Sequence, residues 1–202
     1  MTYFEVFSLS PKLALDTAAL EKSFYKLSRE FHPDRFASKS AAEQAEATEK
    51  SSLLNDAYRA LRDPIRRTEY LLELEGVEVE EQSVKATESA RAAGTEKKQI
   101  VPSDLLEEAF ELNMQLEEMK MAKKMGDDDP QLRKDLEAAK GNFTGMLDAA
   151  GRELEGLWGR WDAAVDGGDE GAKAAAKDAM VALLNRRSYL RNLVRDVNAA
   201  LE

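Results

Sequence analysis

Pro33 is the residue that most constrains what this chain can fold into. It interrupts a segment otherwise patterned as helix, in which Leu20, Phe24, Leu27 and Phe31 recur at intervals of four, three and four, the stripe of an amphipathic helix. Proline has no N–H to donate, clashes with the preceding turn and drives the residue before it, His32, out of the α region. A second helix starts soon afterwards. Ser40-Ala41-Ala42-Glu43 has the form of a capping box, and Leu54, Ala57, Tyr58 and Leu61 mark the buried side of that second helix. The pattern predicts two helices joined by a corner, with the His32 imidazole and Asp34 carboxylate offered to solvent.

The flanks support this reading. Asp16 is placed to cap the first of the two helices, with Leu15 and Leu20 at the staple positions. On the face opposite the apolar stripe, Lys22, Lys26 and Arg29 repeat at four and three. That is either a solvated helix face or, taken with Arg35, a basic surface for an acidic partner. Asp63-Pro64 opens a further helix as N-cap and N1, and Gly76 is a natural end for it. Residues 77–102 are small, polar and weakly periodic, which predicts a flexible linker.

From 103 to 202 the pattern is helical again. One helix runs from about 104 to 125 and stops at Gly126, and Asp127-Asp128-Asp129-Pro130 caps the next. Leu132, Leu136, Ala139, Phe143, Met146, Ala150, Leu154, Trp158, Trp161 and Val165 step through that long second helix by threes and fours. Its glycines at 141, 145, 151, 156 and 159 leave a bend or break open. Trp158 and Trp161 read as core, since they continue this ladder in surroundings that are not basic. After the turn Gly167-Gly168-Asp169-Glu170-Gly171 comes a last helix carrying Met180, Leu183, Leu184, Leu190 and Val197. The fold class is therefore all-α, a helical hairpin followed by an antiparallel three-helix bundle.

Composition excludes several kinds of chemistry. There is no cysteine and a single histidine, so a conventional zinc or iron–sulfur ligand set is not expected, nor any cofactor. Formal net charge is −10. Residues 1–76 hold 11 basic and 13 acidic side chains, so most of the excess falls later, where a nucleic-acid footprint would need clustered positive charge. No apolar run reaches membrane-spanning length. The opening residues show neither a secretory nor a transit pattern, which makes a cytoplasmic location the expectation. No nucleophile–base pair and no phosphate-binding glycine pattern are found, and an enzyme is not expected.

A helix, a His-Pro-Asp corner and a longer helix, preceded by Tyr3-Phe4-Glu5-Val6-Phe7-Ser8-Leu9, resemble a J domain, the co-chaperone module that stimulates ATP hydrolysis by DnaK-type chaperones. Three longer strings narrow the resemblance: Tyr3-Phe4, Phe31-His32-Pro33-Asp34-Arg35-Phe36-Ala37-Ser38 and Asp63-Pro64-Ile65-Arg66-Arg67-Thr68-Glu69-Tyr70-Leu71-Leu72. They are similar to the HscB family, J-type co-chaperones of iron–sulfur cluster assembly. The likeness is strong over residues 1–76 and mostly a pattern of helices over 103–202. It implies a J domain at 1–76, a linker at 77–102 and a client-binding bundle at 103–202. It also implies two partners, an HscA/DnaK-type ATPase and an IscU-type cluster scaffold. His32, Pro33 and Asp34, with Lys22, Lys26, Arg29 and Arg35, would meet the ATPase.

The helix of 104–125 carries more apolar surface than one buried stripe requires. Leu105, Ala109, Leu112, Leu116 and Met119 form one seam; Leu106, Phe110, Met114 and Met121 form a second, offset by roughly 100° and edged by Glu107, Glu111 and Glu118. Two neighbouring helices could bury both seams, or the second could be a partner surface of apolar anchors with an acidic rim. The family resemblance favours the partner surface and implies scaffold contacts through Leu106, Phe110, Glu111 and Met114, with Tyr189 alongside. Glu107 stands where relatives commonly carry an apolar residue. Two other readings stay open, a J-domain co-chaperone for a different client and a helical adaptor in which the His-Pro-Asp corner is incidental.

Overall fold

The computed structural model describes residues 1–77, 101–127 and 129–202. The linker expected over 77–102 lies outside the described residues except at its ends. Among the described residues every regular element is helical. Contacts sort the chain into two compact units that are discontinuous in sequence, Met1–Val79 with Glu155–Asp178 and Glu80–Leu154 with Ala179–Glu202.

The first unit begins with α1 (Tyr3–Val6) and α2 (Thr17–Glu30), then a 3-10 turn (Pro33–Phe36), α3 (Ala41–Arg62) and α4 (Pro64–Leu74). The capping residues act as their sequence positions predict. The Asp16 carboxylate accepts from the amides of Ala18 and Ala19 at 2.9 and 3.0 Å. Ser40 and Glu43 form the reciprocal capping box of α3, and Asp63 accepts from Ile65 and Arg66 ahead of Pro64. Gly76 follows α4 at φ 77°, a left-handed conformation that glycine adopts without steric cost. Leu20, Leu54, Ala57 and Leu61 are buried, and Phe24 stacks on Tyr58 with ring centroids 4.1 Å apart.

Residues 155–178 complete this unit with the end of α6 (Pro130–Gly167) and the start of α7 (Glu170–Leu201). Trp158 and Trp161 are buried, as the apolar ladder predicts. The Trp158 indole N–H donates to Thr68 Oγ1 at 2.9 Å, and the Arg67 guanidinium lies over the Trp158 ring, 4.7 Å from its centroid. The Asp162 carboxylate takes the amides of Leu13 and Ala14, each at 2.9 Å. Lys12 pairs with Asp166 and Lys173 with Glu75. Burial of Arg67, which costs a charge its hydration, lowers its pKa.

The second unit holds α5 (Leu106–Met125), entered through a 3-10 turn at Ser103–Leu105, with the first part of α6 and the last part of α7. Its core joins Leu105, Ala109, Leu112, Leu116 and Met119 to Leu132, Leu136, Phe143, Leu190, Leu193 and Val197. Gly126 ends α5 at φ 71°, and Asp129 caps α6 by accepting from Gln131 and Leu132. Despite its glycines, α6 is one continuous helix of 38 residues. No described helix is long and apolar enough to cross a membrane.

Candidate functional site

Each unit exposes one feature that its own core does not need. In the first unit it is the corner at Pro33. His32 is the N-cap of the 3-10 turn, with extended backbone at φ −62°, ψ 126°, as the residue before a proline must be. Its Nδ1 accepts from the Asp34 amide at 3.3 Å. A neutral imidazole bonded in this way carries its proton on Nε2, so the ring keeps a free donor. The side chains of His32 and Asp34 are 55% and 90% exposed, and one Asp34 carboxylate oxygen lies 3.5 Å from the same Nδ1.

The corner is held from both sides. Arg35 Nη1 donates to the Arg29 carbonyl at 3.2 Å, placing a cation at the C-terminus of α2, where the helix dipole favours it. Gln44 Nε2 on α3 donates to the carbonyls of Ala37 and Lys39. Lys50, also on α3, lies 5.6 Å from the Phe31 ring centroid. Lys22, Lys26 and Arg29 are all exposed on α2. Between them stands Tyr25, an aromatic side chain 57% exposed, which the charge pattern alone did not single out. Tyr25 lies one residue before Lys26 and outside the apolar repeat, and that position was the available signal.

In the second unit the feature is the outer stripe of α5. Leu106, Phe110 and Met114 are 55%, 69% and 53% exposed, while Leu105, Ala109, Leu112, Leu116 and Met119 beneath them are buried. The two seams therefore separate, one to the core and one to solvent. Exposed Glu107, Glu111 and Glu118 follow one edge of the stripe. Glu111 also borders a groove between α5 and α6 whose walls include Glu108, Asp135 and Asn142. The Glu117 carboxyl is held below its usual range by a hydrogen bond from Lys120.

Tyr189 does not stand on this stripe. It is 8% exposed, within the core that α5 covers, and burial raises its phenol pKa. No cluster of three or more metal-ligating side chains occurs among the described residues.

Residues 2–70 match the DnaJ domain family model. The whole chain is similar to the structure of chaperone HscB from Vibrio cholerae, with a TM-score of 0.59 and 26% identity over 98% of this chain and 96% of that one. It is also similar in fold to human co-chaperone HscB, with a TM-score of 0.58 and 22% identity over 98% of this chain and 81% of that one.

Proposed function

Given that this chain is a J-domain co-chaperone of the HscB type, we propose that it stimulates the ATPase of an HscA/DnaK-type chaperone and delivers an iron–sulfur cluster scaffold protein to it in the cytoplasm. The observation that carries this reading is the pairing of two exposed features, a braced His-Pro-Asp corner in one unit and an apolar stripe with an acidic edge in the other. The hydrolysis is the partner's chemistry. Asp34 offers a carboxylate to a partner arginine and His32 adds a directional donor, charge-assisted contacts that are strong and geometrically specific. Lys22, Lys26, Arg29 and Arg35 steer the approach to an acidic surface, with Tyr25 as an apolar anchor among them. Engagement shifts the chaperone toward its hydrolysis-competent state.

Leu106, Phe110 and Met114 are the scaffold anchors, with Glu111 on the acidic edge; Tyr189 contributes by supporting α5 from beneath. One chain holding both partners raises the effective concentration of client at the ATPase. A steady-state chaperone ATPase assay, with and without scaffold, tests the reading. The intact chain should stimulate turnover, and scaffold should raise it further. His32→Gln should abolish stimulation while leaving scaffold binding in place. Normal stimulation by that variant defeats the chaperone assignment, and failure of the scaffold to bind the unmodified chain defeats the client assignment.

A further inference from the structure

The outer stripe of α5 continues beyond Met114. Met121 and Met125 are 61% and 82% exposed. Met121 lies seven residues beyond Met114 and Met125 four beyond Met121, which keeps the three methionines within roughly 40° of one another on the helix. Three of the five apolar side chains on this face are therefore thioethers. The chain has seven methionines, and the others divide cleanly. Met119 and Met180 are buried, Met146 packs half-buried against the core, and Met1 is exposed at the chain start, in the other unit.

We propose that Met114, Met121 and Met125 are an oxidation site that makes the α5 face sensitive to hydroperoxides. The proposal rests on the scaffold-docking reading. Each event transfers one oxygen. The thioether sulfur attacks the peroxide, the O–O bond breaks, an S=O bond forms and water leaves from hydrogen peroxide, or the alcohol from an organic hydroperoxide, with sulfur oxidised by two electrons and the peroxide reduced by two. Exposure sets which methionines react, since the oxidant must reach the sulfur. The product is a strong acceptor where the partner needs an apolar anchor, and covering it removes its water without a matching donor. The J-domain corner contains no methionine, so the same treatment leaves chaperone stimulation intact.

The test uses the full chain, graded hydrogen peroxide and a purified cluster scaffold protein. Peptide mass mapping should find sulfoxide at residues 1, 114, 121 and 125 before residues 119 and 180. Scaffold affinity should fall by about tenfold or more, basal ATPase stimulation without scaffold should persist, and methionine sulfoxide reductases should restore binding. A Met114→Leu, Met121→Leu, Met125→Leu chain, compared with its own untreated sample, should lose peroxide sensitivity. Three mapped sulfoxides with affinity changed by less than about twofold, equal oxidation of Met119 and Met180, or undiminished sensitivity in the triple variant would each overturn the proposal while leaving the docking reading in place. An untreated chain that does not bind scaffold removes that reading and this proposal together.

Discussion

Thr68 is small, yet two hydrogen bonds meet on it. Its hydroxyl donates to the Pro64 carbonyl at 2.8 Å and accepts the Trp158 indole N–H at 2.9 Å, with the residue fully buried. Thr68→Val keeps the shape and orphans the indole, which costs about 1–3 kcal/mol. In denaturant unfolding, a Trp158→Phe, Thr68→Val double variant should lose less than the sum of its singles, because the pair shares one interaction; strict additivity would show that the contact contributes nothing. Glu43 offers a pH test. Hydrogen bonds from the Ser40 hydroxyl, then from its amide, hold the Glu43 carboxyl below the usual range. The folded value lies below the unfolded one, so the cap acts fully above the ordinary glutamate range and is lost as pH falls through the lowered value. Amide shifts of Ser40 and Glu43 followed by NMR should report fraying of the first turn of α3 only in that acid window.

At the scale of elements, α5 gives the sharpest contrast because its two seams differ in surroundings rather than in residue type. Leu112→Ala empties a core position and should cost about 2–5 kcal/mol. Phe110→Ala removes an exposed ring and should change stability by no more than about 0.5 kcal/mol, yet it should be the more damaging of the two for scaffold binding. Thermal melts and scaffold titrations on both variants check this, and a large stability loss at Phe110 would make it core. The exposed glycines of α6 run the other way. Gly141, Gly145, Gly156 and Gly159 lie within the helix, and a Cβ at each meets nothing within 4 Å. Alanine there should stabilise by about 0.4–1 kcal/mol per site, seen as a higher melting temperature.

At the scale of the whole molecule, the discontinuous first unit makes a clear prediction. A fragment ending at Gly76 has the corner, its braces and the caps of α2, α3 and α4, but lacks Trp158, Trp161 and Asp162. Thr68 then loses its indole partner, and the amides of Leu13 and Ala14 lose their carboxylate. Removing one buried tryptophan costs about 3–5 kcal/mol, so the fragment should melt well below the intact chain by circular dichroism. An unchanged transition would show that residues 155–178 add nothing to this unit.

The corner, the caps and the helix ends were legible in the sequence, because proline, glycine and the Asp and Ser caps act through local sterics and hydrogen bonds within a few residues. Periodicity likewise identified Leu112 and Phe110 as lying on different seams of α5. It could not say which seam would face solvent, since that depends on how many neighbours the helix acquires. Nor could it place Arg67 and Thr68 in a buried site, or Tyr189 within the core, because their partners lie far away along the chain. Local chemistry wrote the elements and the corner, while burial, a property of the assembled fold, chose which apolar face was left to solvent.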